Sequence, residues 1–321
     1  MNKQKIYRVD DVRDGIFQLR REGSQKGEWA GFRDLHEHYS IKEGSFTILF
    51  AAPAMGKSQF SIEVMMNMAE YKGWKWIVAT PEMGSPKEVF AELCWAYLRK
   101  PFLEYDGDYA TDEEAQKAIE FVQSHFIVVD AGADDMSIAD FYTTIEDTIL
   151  EDPMIKGVLI DPYTEFKSAV AKGVRDDIAV GQDLTLIRKM SNKYNIHTIV
   201  AVHTRHQQVV TRQSSSGRTI SYLPEPTFND IAGGTMWSRK GMAIIALWRC
   251  PLGLEDEHGN PYEPNQVKIR VLKAKPKSIG RSGDVYLFYD RMQNRYYHKE
   301  GTDRTYSYPD PNSFQQIEIP L

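Results

Sequence analysis

Cysteine is scarce in this chain: Cys94 and Cys250 are the two in 321 residues. They exclude a framework of several disulfides and the ligand spacing of a zinc finger. No run approaches the roughly 18 apolar residues of a membrane span, and residues 1–15 lack the apolar stretch of a signal peptide. These absences predict a soluble, globular protein of a reducing compartment.

An excess of positive charge is also absent, since 39 Lys and Arg against 45 Asp and Glu give a formal net charge of −6. The balance excludes a basic protein that coats nucleic acid, but it permits a local basic channel, because local fields matter more than the sum. Area scaling predicts that a chain of this length buries about three quarters of its unfolded surface. A stable core therefore needs neither disulfides nor metals.

Short apolar runs alternate with longer amphipathic stretches from Ser45 onward, which is typical of a mostly parallel sheet with helices on both faces. The predicted strands are 46–51, 76–80, 126–130, 158–161, 198–203 and 242–248. The predicted helices are 57–71, 85–99, 112–124, 137–150 and 176–194. Further β patterns at 266–274, 283–289 and 295–298 predict an antiparallel extension.

We expect three parts along the chain. Residues 1–44 are an N-terminal segment whose weak helix near 9–21 is a candidate linker helix, residues 45–298 form one α/β domain, and residues 299–321 form an extended tail. The helix pattern at 9–21 is weakened by Gly15, and a frayed surface helix is the alternative there.

The strongest local signal is Ala-Ala-Pro-Ala-Met-Gly-Lys-Ser at 51–58, between an apolar strand and an amphipathic helix. This context is typical of a phosphate-binding loop, in which backbone N–H groups and the helix dipole hold phosphates. Lys57 can reach the β- and γ-phosphates, and Ser58 can bind Mg²⁺. The pattern departs from GxxxxGK[ST] at Ala51, which blocks no contact. The predicted residues of this ATP site are Ala52, Pro53, Ala54, Met55, Gly56, Lys57, Ser58 and Gln59.

Three polar residues stand at or just after the ends of other predicted strands. Asp161 would emerge beside the phosphate loop, where it can hold Mg²⁺, unless it caps the turn before Pro162. Glu82 can orient or deprotonate the attacking water, although a residue that begins a helix is the alternative. His203 can contact the γ-phosphate and report its loss, and a structural histidine is the alternative there.

Together these residues resemble the RecA-like motor domain of ring-shaped replicative helicases of the DnaB and Twinkle type, over about residues 30–298. Thr-Pro-Glu-Met at 80–83 is similar to the family's Ser-Leu-Glu-Met element, and Ile-Asp-Pro-Tyr at 160–163 to its Walker B strand. His-Thr-Arg at 203–205 resembles the γ-phosphate sensor of the Twinkle branch, and residues 228–234 match a glycine-bearing element. The resemblance implies a RecA-like P-loop NTPase in which Glu82 is the catalytic base.

Val-Leu-Lys-Ala-Lys at 271–275 resembles the family's Lys-x-Arg strand, whose arginine finger reaches the neighbouring subunit's ATP. Lys275 stands at the finger position, and Lys277 and Arg281 are alternatives. Lysine keeps the charge but lacks the bidentate fork, so activation between subunits should be weaker. The resemblance also adds Lys273 and Lys277 to the nucleotide site. It places Arg249 and Tyr289 around the adenine ring.

Two long segments, 162–175 and 204–235, have no helix or strand pattern, and loops this long are usually functional. In a ring they would face the central channel and bind the backbone of single-stranded DNA without reading its sequence, although solvated connections are the alternative. The basic residues concerned are Lys167, Lys172, Arg175, Arg205, Arg212 and Arg218.

The sequence therefore predicts an ATP- and Mg²⁺-dependent DNA helicase motor that works as a homo-oligomer, a hexameric ring by resemblance, with 5′–3′ polarity implied in the same way. A primase or other replisome proteins are the further partners. We expect a cytoplasmic location, in the host cell if the source is a phage. The alternatives are a RecA- or RadA-type recombination ATPase and an oligomeric ATPase that is no motor.

Overall fold

The computed structural model describes residues 6–24, 26–104, 107–132, 136–167, 176–231 and 234–306. The described helices are α1 (Arg13–Glu22), α2 (Lys57–Lys72), α3 (Pro86–Leu98), α4 (Asp112–His125), α5 (Ile138–Glu151), α6 (Asp176–Tyr194) and α7 (Met236–Lys240). The described strands are β1 (Phe46–Ala51), β2 (Lys75–Ala79), β3 (Phe126–Val128), β4 (Ile155–Ile160), β5 (His197–His203), β6 (Val210–Gln213), β7 (Thr219–Tyr222), β8 (Ala243–Arg249), β9 (Gln266–Ala274), β10 (Gly283–Asp290), β11 (Arg295–Glu300) and β12 (Asp303–Tyr306).

One sheet contains ten of these strands, in the order β12-β11-β10-β9-β8-β1-β5-β4-β2-β3. The strands from β8 to β3 in this order pair in parallel. Strands β9 to β12 continue the sheet in antiparallel pairs. The predicted α/β class, a mostly parallel sheet with a C-terminal antiparallel extension, is confirmed.

Two hydrophobic cores lie on opposite faces of the sheet. One includes Met65 of α2, Leu93 of α3 and Val122 of α4. The other includes Phe141 of α5 and Leu184 of α6, with Trp237 of α7. All six residues of β1 are buried, as expected for a strand covered on both sides. Within the described residues, no helix is long and apolar enough to cross a membrane.

The boundaries of α2 to α6 lie within one residue of the predicted ones, and local caps mark the starts of α3, α4 and α5. At the start of α4 the Glu114 N–H donates to Thr111 Oγ1, while the Glu114 carboxylate accepts from the Thr111 N–H. Ser137 and Asp140 form the same reciprocal pair at the start of α5. Such a capping box satisfies N–H groups that have no partner inside the helix.

The structure differs from the sequence-based expectation in three segments. Residues 204–235, predicted without regular structure, contain the hairpin β6–β7, whose first strand is exposed throughout. Strand β12 pairs with β11 in a stretch for which we expected an extended tail. The N-terminal segment contributes Phe32, Leu35 and Tyr39 to the core, although its composition is polar. The rest of the predicted tail, from residue 307, lies outside the described residues.

His197, the first residue of β5, is wholly buried; Thr47 Oγ1 of β1 is 3.0 Å from its Nε2 and Lys42 O is 2.9 Å from its Nδ1. Burial lowers the pKa of this imidazole to about 4, against the smaller opposing effect of the Lys42 carbonyl. The folded state therefore holds His197 neutral, whereas the unfolded chain protonates it below pH 6.5.

We expect this residue to make the fold acid-sensitive. Because the unfolded state binds the extra proton, stability is present above pH 6.5 and is lost as the pH falls towards 4, on the order of 3 kcal/mol in all. The free energy of unfolding, measured by denaturant titration from pH 7 to 4, should fall less steeply in His197→Gln. His258→Gln, at an exposed histidine, is the control. An equal slope in His197→Gln and the unchanged protein would contradict the prediction.

Candidate nucleotide site

The predicted phosphate loop connects β1 to α2 and lies at the carboxyl edge of the parallel strands. Its tight path uses left-handed backbone at Gly56, with φ +92°, and at Ala54, with φ +60°. Ala51, the departure from the motif, is the last residue of β1 and has no such strain. The first N–H groups of α2 have no carbonyl partner within the helix, so they can hold an anion.

Lys57 and Asp161 form a buried ion pair at the centre of this edge. Their Nζ and Oδ1 atoms are 3.0 Å apart, and the side chains are 6% and 3% exposed. Asp161 follows β4, whereas Lys57 begins α2. Two residues predicted for different contacts of one nucleotide are therefore adjacent, and each neutralises the other.

Glu82 and His203 form a second pair. The strands that lead to them, β2 and β5, are separated in the sheet by β4. The Nε2 atom of His203 is 3.0 Å from Oε2 and 3.2 Å from Oε1 of Glu82. His203 ends β5, beside Ala51 of β1, and Glu82 lies in the 3₁₀ turn Pro81–Met83 after β2. The side chain of Glu82 is 46% exposed, so it is accessible to water.

Polar atoms without hydrogen-bond partners among the described residues indicate what this edge can bind. The buried side-chain atoms at this edge that have no such partner include Asp161 Oδ2, Thr80 Oγ1 and His203 Nδ1. A hard cation such as Mg²⁺ takes oxygen ligands and is usually held by one or two carboxylates together with substrate phosphates. Asp161, with the hydroxyl of Ser58 in the first turn of α2, fits that role.

The residues expected to bind the adenine ring lie near Met55 and Gly56 of the phosphate loop. The N–H of Arg249, the last residue of β8, donates to Met55 Sδ at 3.4 Å. Tyr289 of β10 packs on Tyr296 of β11, with ring centroids 5.1 Å apart. Burial raises the pKa of the Tyr289 phenol. The structure thus brings Arg249 and Tyr289 to the loop, with an additional tyrosine that the sequence analysis did not single out.

The basic residues after β9 lie at the opposite edge of the sheet. Because β9 runs antiparallel to β8, Ala274 pairs with Ala243 at the start of β8, far from the phosphate loop. Lys275 and Lys277 are exposed beyond this point, while Arg281 bonds to Glu37 at 2.5 Å. The structure does not bring these residues to the nucleotide site of their own chain.

Lys273 is already engaged inside its own chain. Its Nζ donates to Ser238 O at 2.7 Å, near the C-terminus of α7, where the helix dipole favours a cation. Burial, with the nearby charge of Lys275, lowers the pKa of this ammonium. Its predicted contact with nucleotide would require this bond to break.

The predicted DNA-binding residues lie on the two segments that leave β4 and β5. Arg205, Arg212 and Arg218 are exposed, the last two on the hairpin β6–β7. The backbone of Lys167 is fixed by a bond from its N–H to Met136 O. Lys172 and Arg175 lie outside the described residues.

The hairpin is attached to the body of the protein at its C-terminal end. Tyr222 packs edge-to-face on Trp248, and the Trp248 indole N–H donates to Leu223 O at 2.8 Å. Glu225 then bonds to Lys268 at 3.0 Å and to Arg270 at 2.8 Å on β9. The N-terminal end of the hairpin segment follows His203, the last residue of β5. Both ends of the segment are therefore attached to the sheet.

Sequence reasoning missed Tyr296 and the ion pairs of Glu225. Both depend on contacts between residues far apart in the chain, and neither forms a short motif. A buried tyrosine in a strand pattern is usually part of a core, so composition and periodicity gave no signal for either.

Comparison with known proteins agrees with this geometry. The family model AAA_25, an AAA domain, matches residues 33–209, which are 177 of the 321 residues. The chain is also 25% identical, over 283 residues, to the Twinkle homolog protein, chloroplastic/mitochondrial, of Arabidopsis thaliana. That alignment covers 86% of this chain and 37% of the relative, so the chain spans little more than a third of that protein's length.

Solved structures share the fold at low sequence identity. One of them, an isolated ATPase domain, superposes with a TM-score of 0.70 and 18% identity, covering 92% of this chain and 100% of that domain. A DnaB-like replicative helicase, described with its interactions with primase, gives 0.68 and 18%, covering 92% and 68%. The RadB recombinase gives 0.51 and 13%, covering 81% and 93%.

At these identities the superpositions show the fold alone, which is the predicted RecA-like one. The predicted resemblance to the DnaB- and Twinkle-type motor domain is confirmed. Because the family model matches more than half of its residues, the chain belongs to the AAA_25 family of AAA domains.

Proposed function

We propose that this protein is an ATP-dependent DNA helicase motor that moves on single-stranded DNA and unwinds duplex DNA during replication. The observation that carries the proposal is the edge formed by β1, β5, β4 and β2. Their ends bring together a phosphate loop, the buried Lys57–Asp161 pair and the Glu82–His203 pair.

In the proposed reaction, the γ-phosphate of ATP takes the place that Asp161 now occupies beside Lys57. Bound Mg²⁺, held by Ser58 and Asp161, would neutralise phosphate charge. Glu82 accepts a proton from water as the water oxygen bonds to the γ-phosphorus and the bond to the β,γ-bridging oxygen breaks. ADP and inorganic phosphate are the products, and His203 loses a contact when the γ-phosphate leaves.

His203 links this chemistry to the DNA-binding segment. Thr204 follows it and donates its N–H to Ala51 O at 3.1 Å, while the Arg205 N–H donates to Asp230 O at 2.6 Å. A shift of His203 would therefore displace the start of the hairpin segment, while Glu225 holds its end. We infer that hydrolysis moves Arg205 relative to the channel.

The position of Lys275 supports action between subunits. A cation at the opposite edge of the sheet serves the nucleotide of another copy rather than its own, which agrees with a hexameric ring.

The apolar side chains of Ile16, Phe17 and Leu19 on α1 are 47%, 47% and 53% exposed. We propose that α1 docks on the neighbouring motor, that a primase is a further partner, as the resemblance implies, and that the protein acts in the cytoplasm.

The proposal predicts that single-stranded DNA accelerates ATP hydrolysis and that Arg212 and Arg218 contribute to DNA binding. In Arg212→Ala/Arg218→Ala, the affinity for labelled oligo(dT) should fall, and its logarithm should depend less steeply on the logarithm of salt concentration, by about 1.4 for two phosphate contacts. Fluorescence anisotropy across salt concentrations measures both.

A matched control is Lys117→Ala/Lys193→Ala, which removes the same charge from exposed positions on α4 and α6. If the arginine and lysine variants bind equally, the hairpin is not the DNA contact. A hydrolysis rate indifferent to DNA would favour an ATPase that is no motor. Strand pairing without unwinding of a forked substrate would favour a recombinase.

A further inference from the structure

Tyr296 connects the C-terminal antiparallel extension to the phosphate loop, 240 residues earlier in the chain. Its hydroxyl donates to the carbonyl oxygen of Gly56 at 2.9 Å. The residue is 1% exposed, and its ring packs edge-to-face on Phe60, with centroids 5.9 Å apart. The ring contacts do not require the hydroxyl, since a phenylalanine would make the same ones. What the hydroxyl adds is therefore the bond to Gly56.

The Gly56 carbonyl is held from two directions. It also accepts the N–H of Phe60 at 3.0 Å, the first bond of α2, and a carbonyl oxygen has lone pairs for both donors. Gly56 itself is in the left-handed region, with φ +92°, and a Cβ there would lie 2.5 Å from the Tyr296 hydroxyl. The bond therefore fixes a peptide whose own residue has wide conformational freedom.

The orientation of this carbonyl decides where the next N–H points. In a trans peptide the C=O and the following N–H lie in one plane and point in opposite directions. With the Gly56 oxygen turned towards Tyr296 and Phe60, the N–H of Lys57 points out of the helix start, towards the place of the nucleotide phosphates.

The backbone of Tyr296 is itself anchored on α2. Its N–H donates to Glu63, a carboxyl that is 4% exposed, and Arg295 lies 3.7 Å from the same side chain. Strand β11 is thus attached to the helix and to the loop before it at two separate points, so Tyr296 has a defined position relative to the phosphates.

We propose that Tyr296 is a positioning residue for nucleotide binding, which aims the Lys57 N–H at the phosphates by holding the Gly56 carbonyl. The inference rests on the proposed function, since it assumes that Mg·ADP and Mg·ATP bind at this loop. It assigns to β11 a part in phosphate affinity that is separate from the adenine contact expected of Tyr289.

The test uses Tyr296→Phe in the full chain, with Tyr142→Phe as the matched control. Tyr142 is equally buried, at 1% exposed, and its hydroxyl bonds to Thr198 Oγ1 at 3.0 Å, within the core between α5 and β5. Both variants lose one buried hydroxyl and keep the ring. Dissociation constants are measured for a fluorescent ADP analogue with Mg²⁺, and for inorganic pyrophosphate by competition.

We expect Tyr296→Phe to weaken ADP and pyrophosphate by the same factor, about three- to tenfold, with kcat at saturating ATP within about twofold. Tyr142→Phe should leave both constants unchanged. Weaker ADP binding with unaltered pyrophosphate binding would overturn the inference, because the effect would then act on the adenine end. Unchanged constants for both ligands would overturn it as well.

Failure of the proposed function has a different signature. If the unchanged protein bound neither ligand, the nucleotide site itself would be refuted and this inference with it. If the unchanged protein bound both ligands and Tyr296→Phe bound them equally well, the site would stand and Tyr296 would be a core residue only.

Discussion

Lys57→Met is expected to lower the rate of ATP hydrolysis by about two to three orders of magnitude, the usual cost of removing a preorganised charge from a phosphoryl-transfer site. The ammonium is 6% exposed and lies at the start of α2, beside the proposed phosphate site. Methionine keeps most of the volume but provides no charge. The measurement is the release of inorganic phosphate at saturating ATP.

The same substitution should also weaken the fold in the absence of nucleotide. Asp161 is 3% exposed and pairs with Lys57, so Lys57→Met leaves a buried carboxylate without its counter-charge. Breaking such a pair costs about 3–5 kcal/mol, because the remaining ion stays desolvated. Denaturant unfolding of the nucleotide-free protein measures this loss.

A double variant separates the two effects. Lys57→Met/Asp161→Asn removes both charges, so it should regain much of the lost stability while hydrolysis stays at least as slow as in Lys57→Met. Lys156→Met is the matched control, because it makes the same substitution at another ion-paired lysine. Lys156 lies on β4, is 25% exposed and pairs with Glu43 at 3.1 Å. A Lys57→Met protein that hydrolyses ATP at the normal rate would refute the phosphate site.

The sequence was most informative where one short-range signal decided the structure. The central strands are apolar on both sides, and the helices begin at reciprocal caps such as Thr111 with Glu114, so local pattern sufficed. Parallel strands end at one edge of a sheet, which is why Glu82, Asp161 and His203 could be expected near the phosphate loop before their distances were known.

The sequence was least informative where long-range contacts decided the structure. In the hairpin β6–β7, β6 is wholly exposed, and β7 has two half-buried apolar residues, Ile220 and Tyr222, which is too short an alternation to predict a strand. The bond from Tyr296 to Gly56 joins residues 240 positions apart. The pairing of Lys57 with Asp161 was not expected either, because each was predicted to face ligand rather than the other.

Glu82→Gln is expected to lower kcat by about two to four orders of magnitude while nucleotide affinity changes little. The amide keeps the size of the side chain and can still bond to His203, now 3.0 Å from the carboxylate, but it cannot accept a proton from water. Because the described contacts of Glu82 do not include Lys57 or Ser58, the phosphate contacts should survive. Single-turnover hydrolysis and the dissociation constant for a fluorescent ADP analogue measure the two quantities.

Glu151→Gln provides the control, because this glutamate is exposed at the end of α5 and the substitution makes the same chemical change. A Glu82→Gln rate within tenfold of the normal one would show that another group accepts the proton. Asp161 is another carboxylate at this edge, yet it is 3% exposed and already engaged by Lys57. Glu82 is 46% exposed, which leaves room for water beside it. Glu82→Gln should therefore lose the hydrolysis step and keep its affinity for nucleotide.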